Sequence, residues 1–261
     1  MRGRGWIVGG VLAIALIVVV LISQQSQQSS DHSSNSDAVD GASAMRLFAA
    51  SMGHPTDQIS GGFSVPGPGG LMFVFTPTSP YTADEANSVA SWVRSGGVLV
   101  YASEGGDPEL DRALGSQRIQ ALVTETSLDA GGPVADGVSK LAGGDYAMPF
   151  QLGPQQVAIV RVGQYPVAYL QRLGSGTVIA MSDPLPLTNG YLDRADNGRF
   201  AADLLGLVSS SAPVQFDEYH HGITVTDLSP QAWLLTPWGA ALMWLLLAVF
   251  FGLLLRGRRF G

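Results

Sequence analysis

The residues best suited to chemistry lie in one short stretch, 216–222, which reads Phe-Asp-Glu-Tyr-His-His-Gly. It holds Asp217, Glu218 and two of the four histidines in 261 residues, His220 and His221. In an extended chain alternate side chains share a face, so Glu218 and His220 would point the same way. Such a pair could act as an acid and a base or supply two ligands to a metal. Because a metal site needs at least three ligands, no metal and no cofactor is predicted.

A second polar segment, 182–197, contributes further candidates. Asp183 follows the apolar run 177–181 after Ser182, and ligands of open α/β sheets gather at the carboxyl ends of strands. It could join Glu218 and His220 from a neighbouring strand, although an Asp before Pro also starts turns well. Asn189, Asp196 and Asn197, together with Tyr219, are candidate binding residues. Asp196 and Asn197 are also suited to cap a helix.

The elements that must position these residues include a clear strand–helix–strand unit. The continuous apolar runs 71–75 and 98–102 are typical of strands buried on both faces. Between them, residues 82–94 form a helical apolar stripe, with Thr82 and Glu85 at the spacing of a capping box. This βαβ unit predicts a parallel sheet.

Weaker signals extend this α/β pattern along the chain. A helix is predicted from residue 44 to Gly53, strands at 157–162, 167–170 and 177–181, a helix at 198–207 and a last strand at 214–216. The last two of the three middle strands read as a hairpin closed by Gly174-Ser175-Gly176. Residues 103–150, with a short helix at 108–114, read as an irregular insertion. One α/β domain over 40–232 is predicted.

Two apolar runs bracket this domain. Residues 6–23 and 233–255 are long and apolar enough to cross a bilayer as helices. Arg2 and Arg4 precede the first run, and three arginines follow the second, so both termini, 1–5 and 256–261, are predicted to be cytoplasmic. The domain would then be extracytoplasmic on a two-pass protein of the plasma membrane. The lipid bilayer and other membrane proteins are its expected partners.

The composition of the residues between the two apolar runs argues against several classes of function. Between the two runs lie nine basic and 21 acidic residues, a balance that argues against a nucleic-acid partner. The absence of cysteine excludes a cysteine nucleophile and thiolate ligands. Residues 24–39 are mostly Gln, Ser, Asn and Asp, which predicts a flexible tether with a solvated His32.

Three interpretations of residues 216–222 stay open. The stretch could be a catalytic or metal site, a binding surface, or a buried hydrogen-bond network that docks the domain onto its membrane helix. No Gly-x-Ser-x-Gly elbow or phosphate-binding Gly-Lys-Ser/Thr motif occurs, so hydrolase-elbow and P-loop chemistry have no support.

Four stretches together resemble the bacterial membrane protein family that carries domain of unknown function 4350. They are residues 41–46, 75–77 with 92–97, 182–184 with 189 and 194–197, and 216–222. The resemblance implies a flavodoxin-like sheet related to class I glutamine amidotransferases. It also implies a membrane complex with a MoxR-type ATPase or a transporter. Those amidotransferases use a cysteine that this chain lacks.

These observations lead to a membrane-anchored binding or assembly module with a non-catalytic amidotransferase-like domain. The alternative is a metal- or carboxylate-dependent hydrolase of a cell-envelope substrate that uses Asp183, Asp217, Glu218, His220 and His221.

Overall fold

A computed structural model describes residues 32–144, 147–223, 238, 239, 241–246 and 249. Its helices are α1 (Ser43–Ser51), α2 (Ala83–Arg94), α3 (Pro108–Leu114) and α4 (Asn197–Leu205). Its strands are β1 (Thr56–Ile59), β2 (Leu71–Phe75), β3 (Val98–Ala102), β4 (Ser127–Ala130), β5 (Lys140–Ala142), β6 (Gln156–Val162), β7 (Tyr165–Leu173), β8 (Gly176–Met181) and β9 (Val214–Asp217).

All nine of these strands form one sheet in the order β1-β9-β2-β3-β8-β7-β6-β4-β5. The first five are parallel, and β7, β6, β4 and β5 continue the sheet in antiparallel pairing. Strand β9, last in the chain, lies between β1 and β2. The carboxyl ends of β1, β9, β2 and β3 therefore meet at one edge, the carboxyl edge.

The sheet is the middle of three layers. Met45 and Ala49 of α1 and Phe200 of α4 pack in one apolar cluster on one face of the parallel strands. Val89 of α2 and Leu110 of α3 pack in a second cluster on the other face. Strands β2 and β3 are buried along their whole length, as their uninterrupted apolar runs require.

The βαβ unit is confirmed in detail. Thr82 caps α2 and forms the capping box with Glu85, and β2 and β3 pair in parallel. The hairpin of β7 and β8 is confirmed as well. The mixed α/β class is thus established, with a sheet in which parallel strands form the buried half.

Three features of local structure differ from what the sequence predicts. Strand β1 has no counterpart among the predicted strands, because Thr56, Asp57 and Gln58 are polar and only one of its residues is buried. The insertion 103–150 contains β4 and β5, which extend the sheet although each is only three or four residues long. Residues 32–36, expected to belong to a flexible tether, are packed against the domain, because the buried carboxylate of Glu218 accepts hydrogen bonds from Ser33 and Ser34.

The predicted membrane span 6–23 and most of the span 233–255 lie outside the described residues. Within the part of the chain that the structure describes, no helix has both the length and the apolar character needed to cross a membrane.

Candidate functional site

Residues 216–222 do not continue as a strand beyond Asp217. His221 N–H donates to the Glu218 carbonyl (3.2 Å) and Gly222 N–H to that of Tyr219 (3.0 Å), which closes a turn. Gly222 has φ of +85°, a value that favours glycine. The turn pairs side chains three positions apart. The expected pair of Glu218 and His220 is therefore wrong, and two other acid–histidine pairs take its place.

The first pair is Asp217 with His220, on the face of the sheet covered by α2. His220 Nδ1 lies 2.6 Å from Asp217 Oδ2, and the Tyr81 hydroxyl donates to the same carboxylate oxygen. The two side chains are 2% and 0% exposed. The imidazole stacks on the Tyr81 ring with centroids 3.5 Å apart, and Phe63 meets it edge-on at 5.1 Å. Burial and the Asp217 hydrogen bond raise the pKa of Tyr81 well above its ordinary value, so the phenol stays protonated.

The second nitrogen of His220 has no hydrogen-bond partner although it is buried. The nearest charged group is the Glu85 carboxylate at 3.8 Å, which is within ion-pair range but beyond hydrogen-bond reach. A carboxylate only accepts, so Nδ1 of His220 carries the proton that is donated to Asp217, and Nε2 is the nitrogen left without a partner. This is the arrangement of a general base.

The second pair is Glu218 with His221, and it lies against the N-terminal segment. Glu218 Oε2 accepts from Ser33 Oγ (2.6 Å) and lies 3.2 Å from His221 Nδ1, while Oε1 accepts from the Ser34 N–H (2.6 Å). His221 Nε2 lies 2.7 Å from the Phe75 carbonyl oxygen. Both side chains are 1% exposed. Every polar atom of this pair is therefore satisfied inside the protein.

The electrostatics of this pair favour its charged form. Burial alone would raise the pKa of Glu218, but the hydrogen bond and charge of His221 and the bonds from Ser33 and Ser34 lower it overall. Burial alone would lower the pKa of His221, but the bond and charge of Glu218 raise it overall. Both shifts favour the charged form of the pair.

A third acid–histidine pair lies on the same N-terminal segment. His32 Nε2 is 3.0 Å from Glu104 Oε1 just beyond β3, and its Nδ1 is 2.8 Å from the Asp40 carbonyl oxygen. Thr76 Oγ1, just beyond β2, donates to the other oxygen of Glu104 at 2.6 Å. His32 is 5% exposed, so its predicted solvation is wrong. We call residues 32–36 the strap.

Asp183 does not join these pairs. Its strand β8 is separated from β9 by β2 and β3, which places the two carboxyl ends about 14 Å apart at ~4.8 Å per strand. Its carboxylate accepts from the Leu185 N–H (3.0 Å) and from that of Gly144. The expectation that Asp183 follows a strand next to β9 was therefore wrong. Strands β8 and β9 are consecutive in the chain, but they are not neighbours in the sheet.

The candidate binding residues hold the fold together. Asn189 Oδ1 accepts from the Ala44 N–H (2.7 Å), which caps α1 from outside, and its Nδ2 donates to the Ser36 (2.8 Å) and Ala38 (2.7 Å) carbonyls. Asn197 is fully buried and bonds both backbone groups of Ala142 in β5.

Asp196 and Tyr219 occupy more open positions. Asp196 accepts hydrogen bonds from the backbone N–H groups of Ser139 and Lys140. Its side chain makes no capping hydrogen bond to α4, contrary to the prediction. Tyr219 packs its ring edge-on to His220 at 5.1 Å and lies 6.2 Å from Phe63. Ligand binding by these residues stays a prediction.

Within the described residues, no group of three or more His, Asp or Glu is placed to hold a metal ion. Each of the three histidines of the site instead has a single carboxylate at hydrogen-bond distance from one ring nitrogen. The arrangement provides one buried imidazole whose Nε2 has no hydrogen-bond partner, and two acid–histidine pairs that fix the strap.

Sequence reasoning missed Tyr81, Glu85, Glu104 and the strap as parts of this site. Glu85 already had a role as half of a capping box, and Tyr81 stands in no motif. The strap has the composition of a linker. The only signal in it is a run of hydroxyl and imidazole donors, which buried carboxylates such as Glu218 need.

Comparison with solved structures gives only distant likenesses. A β-galactosidase from Rahnella sp. R3 is 16% identical over 52% of this chain and 22% of its own, with a TM-score of 0.36. An exo-β-1,4-mannosidase from an Opitutaceae bacterium is 16% identical over 53% and 25%, with a TM-score of 0.35. A cytoplasmic protein from Salmonella typhimurium is 13% identical over 52% and 71%, with a TM-score of 0.39. The chain spans a quarter or less of the length of the two glycosidases.

No curated protein matches the chain significantly. A family profile does match, over residues 34–205, and its description is a domain of unknown function, DUF4350. The match begins in the strap and includes Asp183, Asn189, Asp196 and Asn197, while residues 216–222 lie beyond its end. Because it covers roughly two thirds of the sequence, the chain belongs to the DUF4350 family.

Proposed function

We propose that the protein is a membrane-anchored binding and assembly module with a non-catalytic, amidotransferase-like domain of flavodoxin type. In this proposal residues 6–23 and 233–255 span the plasma membrane, both termini are cytoplasmic, and residues 40–232 are extracytoplasmic. The three-layer fold with five parallel strands supports the flavodoxin-like assignment.

The observation that carries the non-catalytic reading is the saturation of Glu218 and His221. Three donors from two different segments occupy the Glu218 carboxylate, and His221 uses both ring nitrogens internally. A catalytic acid or base must reach its substrate within hydrogen-bond distance. A pair enclosed in this way stabilises structure instead.

The chain segments that lead to the two predicted membrane spans both lie at the carboxyl edge of the sheet. The strap enters at Glu104 and Glu218, and Ile223 leaves from the same place, because its N–H donates to the Glu218 carbonyl (3.0 Å) and its carbonyl accepts from Gly61 (2.9 Å). Chain segments to both predicted spans therefore start at the carboxyl edge. Trp238 and Trp244 are 82% and 73% exposed, as expected of side chains that meet lipid.

This geometry supports partners that are themselves membrane proteins. The carboxyl edge of an open α/β sheet is where ligands usually bind, and here that edge lies next to the bilayer in the proposed topology. Components of a transporter, or membrane proteins linked to a MoxR-type ATPase, fit this position.

Topology can be tested directly because the chain has no cysteine. Lys140→Cys in β5 should react with a membrane-impermeant maleimide on intact cells, whereas Arg258→Cys should react only after lysis. Reaction of both, or of Arg258→Cys alone, would refute the proposed topology.

Assembly is tested on the tagged full chain, extracted from its native membrane in mild detergent. We expect a particle that contains at least one other membrane protein at fixed stoichiometry by native mass spectrometry. A particle made only of this chain would overturn the assembly proposal.

The hydrolase alternative is favoured by one observation, the unpartnered Nε2 of His220 beside Glu85. It predicts turnover of phosphoester, ester or glycoside chromogenic substrates by the full chain. That turnover would be lost in His220→Gln and kept in the control His54→Gln, whose Nδ1 lies 3.3 Å from the Ala212 carbonyl oxygen. Equal background from all three proteins would favour the non-catalytic proposal.

A further inference from the structure

The strap covers the part of the sheet where a ligand would be expected. It contacts Glu104 after β3, Glu218 after β9 and Gln58 in β1, whose Nε2 donates to Ser34 Oγ and Asn35 Oδ1 (both 2.8 Å). From β2 the chain proceeds to β3 on one side, whereas β9 lies on the other side of β2. The strap thus crosses the topological switch point, the usual ligand crevice of an open α/β sheet.

The strap sits in this crevice as a ligand would. Glu218 binds a hydroxyl and a backbone N–H of the strap, and Glu104 binds its imidazole. Arg46 of α1 donates to the Ser34 carbonyl at 3.1 Å. The Ser33 carbonyl accepts hydrogen bonds from the Ser36 N–H (3.0 Å) and the Ala42 N–H (2.9 Å). These bonds close the strap into a turn.

The hydrogen bonds fix the protonation of two histidines. His32 faces a backbone carbonyl with Nδ1 and a carboxylate with Nε2, and His221 faces a carboxylate with Nδ1 and a carbonyl with Nε2. All four partners can only accept, so each ring must carry two protons. A neutral ring would put a lone pair against an acceptor. The pKa of each is accordingly raised, because Glu104 and Glu218 outweigh the opposing effect of burial.

We propose that the strap is an intramolecular occupant of the sheet's ligand crevice and that loss of a proton from His32 and His221 releases it. Release uncovers the carboxylates of Glu104 and Glu218. The charged groups around the two rings are these two carboxylates, Asp217 on β9, Asp40 at the end of the segment that follows the strap, and Arg46 on α1. This pH-dependent release of the strap does not depend on the proposed assembly with membrane partners.

The direction of the pH effect follows from the shifts. A histidine with a raised folded pKa stabilises the closed strap fully below its ordinary pKa of 6.5 and loses this contribution as pH rises through the folded value. Glu104 and Glu218 have lowered pKa values, so their contribution is lost only in acid. The strap is therefore closed at weakly acidic pH and opens in alkali.

The test uses single cysteines in the cysteine-free full chain, purified in detergent. Ser36→Cys places a thiol in the strap at a residue that is 3% exposed. Ser210→Cys, at an exposed loop position, corrects for the pH dependence of the thiol itself. Ser182→Cys, fully buried beside β8, reports unfolding of the whole domain.

Maleimide labelling of Ser36→Cys relative to Ser210→Cys should rise about tenfold or more between about pH 6 and about pH 9, the effect of losing a charge-assisted hydrogen bond. Ser182→Cys should stay protected throughout. Adding His32→Gln should give the high labelling ratio already at the lower pH. A ratio for Ser36→Cys that does not change with pH, or one that rises together with Ser182→Cys, would overturn the proposal.

Discussion

Replacement of Glu218 tests how strongly the strap is held to the domain. Glu218→Ala would leave the Ser33 hydroxyl, the Ser34 N–H and the Nδ1–H of His221 without an acceptor, in a site where the side chains are 1% exposed. Removing one partner of a buried ion pair costs about 3–5 kcal/mol. Glu218→Gln keeps one acceptor oxygen and should cost about 1–3 kcal/mol, the cost of a buried donor left unpaired.

These costs can be measured by urea unfolding of the full chain in detergent, followed by near-ultraviolet circular dichroism of the buried aromatic side chains. With a denaturant slope of about 2 kcal/mol per molar urea, a loss of about 4 kcal/mol lowers the midpoint by about 2 M. Asp57→Ala is a suitable control, because this neighbouring carboxylate on β1 is exposed and bonds only the next backbone N–H. It should shift the midpoint little.

The pH dependence makes the test specific. Glu218 has a lowered folded pKa, so its contribution is complete above its ordinary value of 4.5 and is lost as pH falls through the folded value. His221 has a raised folded pKa, so its contribution is complete below its ordinary value of 6.5 and is lost as pH rises through the folded value. The difference between wild type and Glu218→Ala should therefore be largest between these two pH values. A midpoint shift below about 0.3 M there, or one that is constant into alkali, would refute the ion-pair reasoning.

Three further predictions concern single contacts. Tyr81→Phe removes the hydroxyl that donates to buried Asp217 but keeps the ring, so we expect a loss of about 1–2 kcal/mol in urea unfolding; no change would mean that the bond contributes nothing. Gly176→Ala would place a methyl 2.0 Å from a backbone carbonyl oxygen and should cost about 2–4 kcal/mol, whereas Gly105→Ala meets nothing within 4 Å and should lie within about 0.5 kcal/mol of wild type; equal melting temperatures would contradict this. Asn189→Asp replaces a donor that faces two carbonyls with an acceptor, so its melting temperature should fall at least as far as that of Asn189→Ala; a higher value for the Asp variant would argue against the assigned amide orientation.

Local pattern predicted the elements whose signals are complete within a few residues. Helix α2 has its apolar stripe and both residues of its capping box, and β2 and β3 are continuous apolar runs bounded by turn residues. These elements were placed to within a residue. Strand β1 was missed because it is four residues long at the edge of the sheet and shows mostly polar side chains.

The candidate site could be predicted only in part because its contacts are long-range. Asp217, Glu218, His220 and His221 were correctly expected to lie together, since they are adjacent in sequence. Which carboxylate pairs with which imidazole was not predicted correctly, because β9 ends at Asp217 and residues 218–222 form a turn. Glu218 meets Ser33 across 185 positions of sequence, and Asp183 is kept away by two intervening strands. Neither the Glu218–Ser33 contact nor the position of β8 in the sheet can be predicted from local sequence.

The position of β9 between β1 and β2 also sets an order for folding during synthesis. Among the described strands β1 pairs only with β9, whose residues are 158 positions later in the chain in the paired register. Strand β1 must wait for β9 before it can pair, and the strap, although it can already contact Glu104, must wait for Glu218 before its Ser33 and Ser34 bonds form. The β2–α2–β3 unit and the β6–β7–β8 segment pair locally and can form first, since short loops close at lower entropic cost. The domain therefore closes from its C-terminal end, and a nascent chain that stops short of β9 leaves its N-terminal strand unpaired.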